Sequence, residues 1–151
     1  MGKTPIDVVL CFFYIHKATQ VGTFVTFYCF VAGWHSPFED GVHDWLSSIS
    51  RFQWVSLFNG ILIGQGTNIA VYRAIGKTGV YYGHRLGHEV PWVTGFPFNV
   101  FPHAQYLGVC VFIVGVNVWS ATYTHVAAGW FNLTLLQVVL YGGMALVEDY
   151  L

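Results

Sequence analysis

Two acids, Glu148 and Asp149, close an apolar run that begins near Trp130. Acids at a helix C-terminus face the negative end of its dipole, and carboxylates in or beside membrane segments are rare and often functional. They suit a cationic neighbour, either a sulfonium or ammonium ligand or the side chains of Arg85 and Lys77. The plain alternative is that they mark the water boundary of the helix. The second feature is the stretch PWVTGFPFNVFPHAQYLG, Pro91 to Gly108. Its prolines, glycines and polar HAQY lead straight into another apolar run, a pattern that no generic packing rule requires. Trp92, Phe96 and Tyr106 there could line an aromatic site for a cationic amine; an interfacial aromatic belt is the competing reading.

Gly64-Gln65-Gly66 is a weaker signal. Paired glycines admit a ligand or another backbone, and Gly60 with Gly64 is also the small-xxx-small spacing common between membrane helices. His84 and His88, four apart, would share a helix face and could hold a metal. Their partners His16, His35, His43 and His125 are scattered, so no metal is expected. Cys11, Cys29 and Cys110 lie far apart in apolar runs, without disulfide or metal-ligand spacing.

The 151 residues that must position these groups carry only 9% charged side chains against 55% hydrophobic ones, with a formal net charge of −1. A soluble domain carries about 25% charged residues. The scarcity excludes a soluble globular domain, a disordered segment and an electrostatic nucleic-acid binder. The chain reads as an all-α integral membrane protein. A bilayer core of about 30 Å needs roughly 20 apolar residues per helix, which predicts about four transmembrane helices. They run from about Ile6 to Trp34, Phe52 to Tyr72, Tyr106 to Tyr123 and Trp130 to Val147, with a long cytosolic loop, Gly76 to His103, before the third. Trp34, Trp45, Trp54, Trp92 and Trp130 fall near segment ends. Lys3, Arg73, Lys77 and Arg85 fall on the side of both termini, opposite Glu39, Asp40 and Asp44, so the positive-inside rule puts the termini and the loop in the cytosol. No second domain or internal repeat is evident, and residues 1–151 read as a single domain.

The run TGVYYGHRLGHEVPWVTGFPFNVFPHAQYLG resembles the small phospholipid N-methyltransferases. The likeness covers roughly Asp44 to Asp149 and is dense between Gly64 and Gly108. YYG, PWVT and FPF groups, a tyrosine-x-glycine before the next helix and a terminal acidic pair occur in the family's order. Asp149 stands where the family has a second glutamate, and Ala104 where it usually has proline.

The resemblance implies an S-adenosyl-L-methionine-dependent enzyme of the endoplasmic reticulum membrane, with a mitochondrial membrane as the other candidate. Such an enzyme would methylate the amine head group of phosphatidyl-N-methylethanolamine, or of the unmethylated or dimethyl lipid, towards phosphatidylcholine. It carries cofactor binding to Gly64, Gly66, Glu148 and Asp149. Tyr106 would stabilise the methylated ammonium, Arg85 would clamp the lipid phosphate, and His103 is the candidate base. The expected partner is a phospholipid within the membrane, with no nucleic acid. Two other readings compete: an isoprenylcysteine-type carboxyl methyltransferase and a small non-catalytic membrane protein whose glycines only pack helices.

Overall fold

The computed structural model describes residues 5–27 and 42–150 of the chain, apart from the side chains of Ile6, Val42, His43, Trp45 and residues 147–150. Among the described residues every regular element is helical. In chain order they are α1 (Pro5–Thr26), α2 (Val42–Ser48), α3 (Arg51–Asn59), a π-helical segment (Gly60–Gln65), α4 (Gly66–Val80), a 3₁₀ turn (Gly83–Leu86), α5 (Ala104–Ser120), α6 (Tyr123–Ala127) and α7 (Trp130–Tyr150). The predicted second segment is therefore longer than expected, because α3, the π segment and α4 run on without a gap from Arg51 to Val80. The first five residues of the predicted loop still belong to that rod, Gly76 bending it with φ 64°. The part of the predicted first segment beyond Phe27 lies outside the described residues.

One helix among the described residues, Asp7–Thr26, is long and apolar enough to cross a membrane, and Ala104–Ser120 and Trp130–Leu146 are shorter apolar helices. Large apolar side chains cover outer faces of the rod: Leu62 is 76% exposed and Phe52 71%. Surfaces of that kind have no stable contact with water and suit lipid.

α5 is the central element, flanked by the α3–α4 rod and by α7. The rod meets α5 along the stripe Gly60, Gly64, Thr67 and Val71, all buried. Two pairs of glycines make the approach possible. A Cβ on Gly64 would stand 2.7 Å from the Phe112 amide nitrogen and 2.8 Å from the Gly108 carbonyl oxygen. One on Gly115 would stand 2.6 Å from the Ser56 carbonyl oxygen and 2.7 Å from the Gly60 Cα. In lipid, where helices gain little from burying apolar surface, such backbone contact is a main source of attraction. At the far end Ser50 caps α3 through a reciprocal box with Gln53, and the Gln53 amide donates to the carbonyls of Trp119 (3.2 Å) and Ala121 (2.9 Å). This fixes the rod antiparallel to α5.

α7 runs antiparallel to α5 as well. The Asn117 amide donates to the Thr134 hydroxyl at 3.2 Å, both groups buried, and the Cys110 thiol donates to the Val138 carbonyl at 3.9 Å. α1 lies against α7 in turn: the Gln20 amide donates to the Gln137 carbonyl oxygen at 3.0 Å. The starts of α1 and α5 and the ends of α4 and α7 therefore share one end of the bundle.

α6 opens with a second reciprocal box, in which the Thr122 hydroxyl accepts from the His125 amide and His125 Nδ1 accepts from the Thr122 amide at 3.3 Å. Burial lowers the His125 pKa below its ordinary 6.5, against a smaller upward pull from a backbone hydrogen bond to Ser120. The fold thus favours the neutral ring, whose Nδ1 is an acceptor.

Replacing Gly64 or Gly108 by leucine is expected to lower stability by about 1–3 kcal/mol through overpacking. Gly66→Ala, whose added methyl meets nothing within 4 Å, should be neutral or slightly stabilising; thermal unfolding in detergent measures all three. The box at α6 predicts a pH effect. Its stabilisation is complete above pH 6.5 and declines as pH falls below that value, because the unfolded ring protonates more readily than the folded one. The slope should vanish in His125→Gln, where the amide oxygen still accepts.

Candidate active site

The shared end of the bundle gathers the groups that sequence reasoning singled out around Tyr106. Residues 88–103 cross that end without regular structure apart from a turn at 95–100, and buried Pro97 anchors them. His103 then caps α5 in the left-handed region at φ 54°. Two residues into the helix Ala104 is 1% exposed and Tyr106 9%. On the rod side Tyr82 also takes a left-handed conformation, φ 57°. Non-glycine residues adopt it at a cost of order 1 kcal/mol, and such strain gathers at functional sites. Here it aims Tyr82 inward, so that its hydroxyl lies 2.5 Å from that of Tyr106, half-buried, with either oxygen able to donate.

The His103 ring stands 6.4 Å from the Tyr106 ring, tilted by 54°. Between α4 and the start of α5 a cavity of about 230 Å³ is lined by Val71, Ile75, Gly79, Phe98, His103 and Tyr106, among others. Among the described residues no lysine or arginine lines it. α1 closes the other side: Phe13 meets Tyr81 edge-on at 5.2 Å and stacks on Tyr82 at 6.3 Å. Burial raises the Tyr81 pKa, with Tyr72 and Tyr14 adding to the effect, so this phenol stays neutral at physiological pH. A hollow lined by the Phe98 ring, the Tyr106 phenol and the His103 imidazole can accept a cationic group against aromatic faces.

Arg85 is exposed on the 3₁₀ turn, three residues beyond Tyr82, whose carbonyl accepts the Arg85 amide at 3.0 Å. His84 and His88 do not share a helix face, since Gly87 turns the chain between them with φ 79°. Lys77 reaches Asp7 of α1 at 3.4 Å. Trp92 and Phe96, expected beside Tyr106 in an aromatic site, are exposed, and Tyr106 meets the Tyr82 hydroxyl and the His103 ring.

Glu148 and Asp149 sit in the last turn of α7, and their side chains lie outside the described residues. The backbone register carries that turn towards the Tyr82 end, about 10 Å along the axis beyond Tyr141. Gly64 lies elsewhere. It packs against Gly108 and Phe112, about 12 Å deeper along the rod than the level of α7's last turn. Gly66 is exposed and open on its Cβ side. Gly64 and the acids, expected together around one cofactor, thus stand at levels about 12 Å apart along the bundle axis. The small residue at Gly64 is accounted for by helix contact.

The sequence profile described as phospholipid methyltransferase matches residues 54–150. The chain belongs to the phospholipid methyltransferase family. The matched span takes in the rod from Trp54 onward, the crossing segment, α5 and α7, so it holds every element of the Tyr82–Tyr106 end except α1. The family member is 43% identical over 56 residues to phosphatidyl-N-methylethanolamine N-methyltransferase of Arabidopsis thaliana. That stretch is 37% of this chain and 34% of the relative, so the match spans about a third of the relative's length. No solved structure matches the chain.

Tyr82 was missed as a site residue. Its signal was the paired tyrosine before Gly83, a motif whose role cannot be read without its partner 24 residues away. Removing either hydroxyl, as Tyr82→Phe or Tyr106→Phe, is expected to cost about 0.5–1.5 kcal/mol. The double variant should lose no more than the worse single one, since both remove the same hydrogen bond; thermal denaturation of the four proteins checks this.

Proposed function

We propose that this protein is an S-adenosyl-L-methionine-dependent phospholipid N-methyltransferase of the endoplasmic reticulum membrane, acting on phosphatidyl-N-methylethanolamine or its neighbours in the series. The observation that carries the reading is the family match over residues 54–150, joined to a cation-tolerant aromatic hollow at the end of α5. The whole chain, residues 1–151, acts as one methyltransferase domain. In this reading it crosses the bilayer four times, through α1, the α3–α4 rod, α5 and α7. The 30-residue rod, about 45 Å long, is ample for a core of about 30 Å. The Tyr82–Tyr106 end then faces the cytosol.

The side chains suit the charge changes of methyl transfer to an amine. When bound, S-adenosyl-L-methionine supplies an electrophilic methyl group on a sulfonium. The lining of the hollow fits a cation, because Phe98, His103 and Tyr106 offer it aromatic faces and a phenol oxygen. Glu148 and Asp149 hold the cofactor with their negative charge, and Gly66 is the glycine of the pair open enough to approach it. Gly64 contributes by holding α5 in place. His103 takes the proton of the substrate ammonium, freeing the nitrogen lone pair for the new N–C bond. The Tyr106 ring then faces the more substituted ammonium, and Arg85 attracts the lipid phosphate at the membrane surface. Alignment of the reactants supplies most of the acceleration, since the protein itself forms no covalent bond.

Expression in cells lacking phospholipid methylation should restore methylated head groups, and label from methyl-labelled cofactor should enter lipid. Label in prenylated protein instead would move the chain to the carboxyl methyltransferases, and no cofactor binding in any lipid would end the enzyme reading. Glu148→Ala is expected to lose cofactor binding; unchanged affinity would remove the acids from the site. Tyr106→Leu should slow transfer roughly 3- to 30-fold, the range of a cation–π contact of about 0.5–2 kcal/mol.

A further inference from the structure

α1 carries a lysine in the middle of its apolar length, where a charge is costly and functional by default. Lys17 lies 12 residues beyond Pro5, or about 18 Å along the axis. Its ammonium donates to the Gln20 side-chain oxygen at 3.1 Å and to the Tyr141 hydroxyl, and stands 4.7 Å from the centre of the Tyr141 ring. These groups fix where the ammonium points but do not neutralise it. More polar groups surround the spot. The Tyr141 hydroxyl donates to Gln20 at 3.3 Å, the His16 ring stands 6.2 Å from that of Tyr141, and Gln137, 6% exposed, bonds Gln20 from α7. A cavity of about 160 Å³ lies between α1 and α7 among His16, Gln20, Gln137 and Tyr141. Lys17 is exposed on α1 and stands beside this cavity rather than in its lining, so its ammonium, held by the Gln20 amide oxygen and the Tyr141 hydroxyl, is open to an anion that approaches from outside the helix pair.

Its position gives the anion's identity. Phe13 precedes Lys17 by one helical turn, about 6 Å, and stacks on Tyr82, which is bonded to Tyr106. The cation thus sits one turn deeper in the membrane than the phenol pair at which the amine is methylated. In an ethanolamine phospholipid the phosphate follows the amine by one short ethanolamine link, on the way into the membrane. We propose that the Lys17–Gln20–Gln137–Tyr141 cluster binds the phosphodiester of the lipid substrate, the inner counterpart of the contact at Arg85. This rests on the methyltransferase reading for the lipid's amine, but not for the phosphate site itself.

The test uses the full chain in detergent micelles, with dioleoyl phosphatidyl-N-methylethanolamine and dioleoylglycerol as probes. Retention of each lipid is read by native mass spectrometry, beside KM values for lipid and for S-adenosyl-L-methionine. The wild type should retain the phospholipid in preference to the diacylglycerol. Lys17→Gln should lose that preference and raise the lipid KM about ten-fold, the loss of one charge-assisted contact. Its cofactor KM should be unchanged, and Lys17→Arg should restore retention. Equal retention and KM in wild type and Lys17→Gln would overturn the phosphate site while leaving methylation intact. So would a parallel loss of stability and cofactor binding in both variants, which would make Lys17 a link between helices. A wild type that retains phospholipid through Lys17 yet places no methyl on it would uphold the site and overturn the methyltransferase reading.

Discussion

The architecture depends on backbone-to-backbone contact between the α3–α4 rod and α5, at Gly60 with Gly115 and Gly64 with Gly108. A bilayer offers helices little reason to associate by hiding apolar side chains, because lipid receives those side chains as readily as a neighbour does. Close approach, with its many weak dispersion contacts, has to supply the attraction instead. The two glycine contacts also set the register. Once Gly64 lies on Gly108, Val71 and Ile75 fall beside the first turn of α5, and Tyr106 faces the end of the rod.

Function follows from that register. Tyr82 and Tyr106 come from different elements and meet because the seam brings the rod's exit and α5's entrance to one level. The bend at Gly76 and the left-handed Tyr82 then turn the chain back over the bundle end. α1 adds Phe13 against the tyrosines and, one turn deeper, Lys17 against α7. The polar contacts among Lys17, Gln20, Gln137 and Tyr141 tie α1 to a bundle against which it otherwise packs lightly. An element held by few polar contacts is free to part from α7 more easily than α5 can leave the rod. That is a suitable property for the side through which a lipid would enter.

Much was legible in the residues. The low charge count pointed to a membrane, and the order of YYG, PWVT, FPF and the acidic pair led to the family before any coordinates. The starts of α5 and α7 were read to within two residues, because proline-rich HAQY and Trp130 follow breaks in the apolar pattern. Less legible was the rod. Its polar and small residues between Asn59 and Thr78 dilute the apolar signal, so the predicted segment ended at Tyr72 although the helix continues to Val80. The level of Gly64 relative to the acids was not legible either. Spacing along a sequence does not tell which face of a helix a glycine serves.

By itself, then, the sequence determined the apolar character of the chain, the family it joins and which few residues were candidates for its site. Those are matters of composition and local order, which need no three-dimensional information. Only the tertiary structure decided that Gly64 is spent on helix contact, that Tyr82 is the partner of Tyr106, and that Lys17 lies one turn below them. Each depends on the register between helices far apart in the chain. That register comes from the fit of backbone against backbone, which no single segment encodes.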